Sequence, residues 1–167
     1  AAESYLLINT GGKFRIEDIS SLQENMCGMI TGATVVDLDG DGKDELIVVG
    51  EWCVPQIYSQ TETGFTLLEN TTLNGLTGWW QSIQTADIDK DGDQDIIMSG
   101  WNKIQGKLLT WILRNEPLGT FTPIANQIDF GVAYGSIDAM DYNLDGLKDF
   151  VISGADSVTE HATKVHS

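Results

Sequence analysis

Short runs of apolar residues alternate along this chain with acidic or glycine-rich turns. Segments 46–49, 96–99 and 150–153 are apolar at almost every position, and each stops on a glycine: Gly50, Gly100 and Gly154. Unbroken apolar character over so few residues predicts strands covered on both faces. An acidic segment precedes each run (37–45, 87–95 and 141–149), and another apolar stretch precedes each acidic segment (33–36, 83–86 and 137–140). Between these units lies a second pattern, an apolar strand, a polar turn and a Gly–Phe step, reaching Phe14, Phe65 and Phe121 in turn. No segment keeps a helical period over ten residues. Residues 16–24 come nearest and read as a loop or single turn.

The pattern is a repeat. The acidic segments align without gaps, and their first Asp recurs after 50 and then 54 residues. Phe14, Phe65 and Phe121 precede the next acidic segment by 23, 22 and 20 residues, so the phase holds along the chain. Four short strands per unit of about 50 residues predict an all-β protein made of β-propeller blades. The expected division of this single propeller segment is 1–26 as the last two strands of one blade, 27–75 as repeat 1, 76–128 as repeat 2 and 129–167 as the first strands of repeat 3. An arc of about three blades exposes sheet edges and apolar faces. Association is therefore expected, either with the remainder of a longer propeller chain or with a second copy as a homo-oligomer.

Composition narrows the partners. Nine Lys and Arg stand against 25 Asp and Glu, a net charge of −16, which disfavours nucleic acid and anionic membrane surfaces. No run approaches the roughly 18 apolar residues of a membrane-spanning helix. The opening residues Ala1, Ala2, Glu3 and Ser4 lack the features of a signal peptide, as expected of a mature or excised chain. Many of the acids crowd into the three segments, where they repel one another unless a cation neutralises them.

Each acidic segment reads Asp-x-Asp/Asn-x-Asp-Gly-x-x-Asp/Glu. Oxygens at positions 1, 3 and 5 wrap a hard cation, Gly at position 6 allows the turn, the backbone carbonyl of position 7 faces inward, and the acid at position 9 closes the site. Such all-oxygen sets suit calcium; magnesium demands stricter octahedral order, and no Cys or His lies in any of the three loops for zinc or copper. A helical calcium loop would need Glu at position 12, where this chain has Val48, Met98 and Ile152. Three ions, one per loop, would relieve about six of the sixteen negative charges. The loop beginning at Asp141, with neutral Asn143 at position 3, is expected to bind most weakly.

These residues resemble the FG-GAP or VCBS repeat proteins, related to the integrin α-chain propeller. The likeness rests on the three loops, on Gly28-Met-Ile-Thr-Gly-Ala33 leading to Val48-Val-Gly-Glu-Trp52, on Gly78-Trp-Trp-Gln-Ser-Ile83, and on Tyr134-Gly-Ser136 leading to Asp141. It is similar to repeats of secreted bacterial proteins, including those that carry an ASPIC/UnbV segment. The resemblance implies calcium in the first hairpin of each blade. The ligands would be Asp37, Asp39, Asp41 and Glu45; Asp87, Asp89, Asp91 and Asp95; and Asp141, Asn143, Asp145 and Asp149. Backbone carbonyls of Lys43, Asp93 and Leu147 would complete the shells. Glu45 departs from the usual Asp and lengthens that closing ligand.

Cys27 and Cys53 fall nearly opposite each other across the first hairpin, compatible with a disulfide or with two buried thiols. Trp52, Trp79, Trp80, Trp101 and Trp111 fit either a sugar-stacking platform or packing between blades. Asn70, Thr71 and Thr72 match a glycosylation acceptor, and His161 and His166 read as solvated. No catalytic triad, Cys/His pair or metal-hydrolase set is visible, and the densest acids are accounted for as ligands. The expected function is an extracellular, non-enzymatic, calcium-binding module for adhesion or for a protein or glycan ligand. The alternatives are a lectin-type propeller and a non-catalytic accessory domain of a secreted enzyme.

Overall fold

The computed structural model describes residues 4–158, except 24, 25, 27, 63, 70, 71, 117–119 and 125–127. The sequence-based expectations for Cys27, Asn70, Thr71, His161 and His166 fall outside the described residues. The fold is all-β. A hairpin of β1 (Leu6–Asn9) and β2 (Phe14–Glu17) leads through a single-turn helix, α1 (Ser20–Gln23), into a four-stranded antiparallel meander of β3 (Ile30–Val36), β4 (Glu45–Gly50), β5 (Gln56–Thr61) and β6 (Gly64–Leu68). After a short 3₁₀ turn at Leu73–Gly75 comes a second meander: β7 (Gly78–Ala86), β8 (Asp95–Asn102), β9 (Lys107–Glu116) and β10 (Thr120–Pro123). The described chain closes on the hairpin of β11 (Ala133–Met140) and β12 (Asp149–Ala155). These are two complete blades of propeller type flanked by an outer and an inner half-blade.

The strands before the acidic loops extend further back than their apolar stretches suggest, because each carries a β-bulge. The register shifts between Ile30 and Gly32, Trp80 and Ser82, and Ala133 and Ser136, the same place in every repeat. A bulge interrupts hydrophobic alternation and so hides the first part of a strand from pattern reading.

Successive side chains of a strand point to opposite faces, and β4 uses both. Ile47 and Val49 join Ile57, Trp80, Ile83, Ile96, Met98, Leu113 and Phe121 in a core between the two full blades. Leu46 and Val48 point the other way, toward Ile19 and Leu22 at α1, Leu6 of the first hairpin and Tyr58 of the neighbouring strand β5. The apolar runs in β4 and β8 thus mark strands covered on both faces, whereas the third run, in β12, leaves Val151 53% exposed. Blade joins blade through the backbone as well, since Cys53 and Gly78 exchange both N–H···O bonds at 3.1 Å. Cys53 is buried and disulfide-bonded.

The close approach of β7 to β8 explains one of the recurring glycines that end the apolar runs. A Cβ on Gly100 would run into the Trp79 carbonyl and the Trp80 backbone. Only hydrogen fits.

Candidate metal centre

The loops joining β3 to β4, β7 to β8 and β11 to β12 share one local design. The N–H of position 2 donates to the acid at position 9: Leu38 to Glu45 Oε2 at 2.9 Å, Ile88 to Asp95 Oδ2 at 2.8 Å, and Tyr142 to Asp149 Oδ2 at 2.9 Å. The N–H of position 6 donates to the first Asp: Gly42 to Asp37 at 2.9 Å, Gly92 to Asp87 at 3.2 Å, and Gly146 to Asp141 at 2.9 Å. The N–H of position 7 donates to position 5: Lys43 to Asp41, Asp93 to Asp91, and Leu147 to Asp145, at 2.7–3.0 Å. Gly42, Gly92 and Gly146 all adopt positive φ, as the turn requires. Position 4 is left-handed too, filled by Gly40 in the first loop but by Lys90 and Leu144 in the others, at φ of 64° and 61°. That second left-handed position was not read from the sequence, because only one of its three occupants is a glycine.

Folding each loop this way turns carboxylates inward. Asp37, Asp39 and Glu45 each offer an oxygen within 4.8 Å of the other two, and so do Asp87, Asp89 and Asp95. These are positions 1, 3 and 9. Glu45 takes its place as well as Asp95 does, despite its extra methylene. Asp41 and Asp91 stand outside the triads, Asp41 being bonded to Lys43 Nζ at 2.9 Å. In the third loop Asn143 occupies position 3 and donates through Nδ2 to Asp145 Oδ2 at 2.9 Å, which leaves Asp141 and Asp149 as the acids at positions 1 and 9. Lys43, Asp93 and Leu147 show their backbone N–H bonds to position 5.

The closing acids of the first two loops sit deep. Asp95 is fully enclosed and Glu45 nearly so. Burial pushes the Glu45 carboxyl above its ordinary range; the Leu38 N–H opposes this, and the charges of Asp39, Asp41 and Asp37 add to it. Burial likewise raises Asp95, against the N–H groups of Ile88 and Asn115 and with the repulsion of Asp89 and Asp91. Elsewhere Asp41 is held low by Lys43, and Asp145 by the Leu147 N–H and the Asn143 amide. Asp87 Oδ1 is buried without a hydrogen-bond partner.

Two side chains from outside the loops meet them. Arg114 of β9 brings Nε to 2.7 Å from Asp89 Oδ2, within ion-pair distance though without hydrogen-bond alignment. Its neighbour Asn115 bonds both loops: its N–H donates to Asp95 Oδ1 at 2.8 Å and its Nδ2 to the Leu38 carbonyl at 2.7 Å. Neither was a sequence candidate. Their separation from the acids they touch is set by the pairing of β8 with β9 and by blade-on-blade packing.

At the other end of the sheets, Trp52, Trp79 and Tyr134 lie in contact, with ring centroids 6.1 Å apart for the first pair and 5.7 Å, edge to face, for the second. Trp80 is buried, and Trp111 packs against the same core, so these two of the five tryptophans fill the space between blades.

An all-β array of propeller-type blades with acidic first hairpins defines a repeat protein of the β-propeller class. Residues 37–98, spanning both triads, match the FG-GAP-like repeat family. The chain therefore carries an FG-GAP-like repeat, a type found mostly in extracellular, non-catalytic modules. The match is to the FG-GAP-like repeat, and the expected likeness to VCBS or ASPIC/UnbV proteins is not part of it. No curated protein matches the chain. The third loop lies beyond the matched residues, yet its backbone bonds reproduce those of the first two. Among the described residues no helix is long and apolar enough to cross a membrane.

Proposed function

We propose that this chain is a calcium-braced, non-catalytic propeller module that binds a protein or glycan ligand outside the cell. The observation that carries this reading is the pair of carboxylate triads, each closed by a buried acid among like charges. Such a group is costly unless a cation completes it, and the unpartnered Asp87 Oδ1 supports the same conclusion. Calcium would be held by Asp37, Asp39 and Glu45 and by Asp87, Asp89 and Asp95. Asp41 and Asp91, and the carbonyls of Lys43 and Asp93, would supply the rest of the six to eight oxygens calcium takes. The bound ion supplies positive charge that draws both ends of the hairpin together. The loop with Asp141, Asn143, Asp145 and Asp149 would bind a third ion more weakly. Extracellular placement is supported by the repeat type and by the disulfide at Cys53. The exposed apolar side chains of Leu7, Phe14, Ile16 and Val151 on the two half-blades favour further blades against them, from the rest of a longer propeller or from a second copy.

Melting the protein in millimolar calcium and again in chelator tests this reading. A rise of many degrees with calcium is expected, with affinities on the order of 10⁻⁴ to 10⁻³ M for extracellular sites. A melting temperature indifferent to calcium would show the loops to be plain turns.

A saccharide ligand is favoured by the aromatic end of the blades, where Trp52 is 53% exposed beside Trp79 and Tyr134. Nearby, Trp101, Lys107, Asp129 and Phe130 line an open cleft of about 530 Å³. Binding on a glycan array that disappears with Trp79→Ala would support it; a silent array would point to a protein partner.

A further inference from the structure

Asn115 belongs to neither acidic loop, yet a continuous line of hydrogen bonds runs through it from one triad to the other. Glu45 Oε2 accepts from the Leu38 N–H, the Leu38 carbonyl accepts from Asn115 Nδ2, and the Asn115 N–H donates to Asp95 Oδ1. The line continues to the Ile88 N–H on the other oxygen of Asp95. Leu38, Glu45, Asp95 and Asn115 are all buried. Water does not compete at these bonds, so a shift in one is passed to the next. Both ends of the line lie within the triads: Leu38 is the backbone between Asp37 and Asp39, and Ile88 is the backbone between Asp87 and Asp89. Asn115 Oδ1 has no hydrogen-bond partner, a cost that an apolar residue would avoid. What the amide contributes is its bond across the blade boundary.

We propose that Asn115 is a positioning residue that couples the first two cation sites, so that loading one loop raises the affinity of the other. This rests on the reading of the loops as cation sites given above. A cation in the second loop pins Asp95, and through it the Asn115 backbone, its amide and the Leu38 carbonyl. The chain joining Asp37 to Asp39 is then already ordered when its own cation arrives, and the ordering entropy is not spent twice. The effect is reciprocal by linkage. The third loop meets the second through the exposed Lys90 amine beside Gly146 and Asp145.

The test follows the Gly42 and Gly92 amides by NMR as calcium is added to the whole chain. Asp37→Ala, which disables the first loop, should move the Gly92 midpoint to about fivefold higher calcium, the lower end of usual coupling strengths. In an Asn115→Leu background the same change should leave the Gly92 midpoint where it was. If Asn115→Leu does not fold, Asn115→Ser, which keeps the backbone donor and drops the bond to Leu38, is read the same way. A Gly92 midpoint indifferent to Asp37→Ala, with calcium still taken up, overturns the coupling alone. A Gly92 shift that persists undiminished without the Asn115 amide overturns the role of Asn115. No calcium-dependent shift at either amide overturns both the coupling and the cation reading.

Discussion

Asp91 and Asp95 lie four residues apart in one loop but meet different surroundings. Asp91 is exposed and accepts the Asp93 N–H; Asp95 is enclosed and caps two backbone N–H groups, of Ile88 and Asn115. Asp91→Ala should therefore cost little in chelator and weaken calcium binding. Asp95→Ala should lose about 1–3 kcal/mol even without calcium, because it strands buried donors. Urea unfolding of both variants with and without calcium separates the two effects. Acidity adds a second check. Glu45 and Asp95 have folded-state values raised by burial, so the calcium-free fold holds extra protons between the ordinary carboxylate range and those raised values. In that window stability rises as pH falls. Calcium requires the charged carboxylates, so in its presence the slope should reverse. Melting temperatures from pH 7 down to 5, with chelator and with calcium, show whether the two curves run in opposite directions.

Strands and turns are the scale at which the sequence was most legible. The outer hairpins lie where the Gly–Phe pattern predicts, because a half-buried hairpin needs little beyond local alternation and a turn. The inner strands were under-read at their start, where the bulges at Gly32, Ser82 and Ser136 break the alternation. The glycine ending each apolar run was visible as a recurrence, but its reason lay in the neighbouring strand. Gly100→Ala should destabilise the protein by about 1–3 kcal/mol by overpacking against the Trp79 carbonyl, measured by chemical denaturation. A neutral result would mean that β7 and β8 can part without cost.

Across the whole molecule, cohesion is unequal. The strand β8 is buried along nearly its full length, with β7 and β9 on its edges, whereas the β1–β2 hairpin shows Leu7, Phe14 and Ile16 to solvent. Hydrogen exchange should be slowest in β8 and fastest in β1–β2, since local opening exposes little apolar surface in the hairpin. Equal protection throughout would show that something covers the half-blade in solution.

The sequence by itself determined the all-β blades, the phase of the repeat and the acidic loops with their left-handed glycines, since each is written within a few tens of residues by alternation, turn chemistry and charge. It also named every acid that now lines the two triads. Which acids converge, which tryptophans are buried, and the presence of Arg114 and Asn115 at the loops were decided only by tertiary structure. The Asn115 amide bonds a carbonyl 77 residues away, and no local pattern in a chain encodes the distance between two blades once they pack.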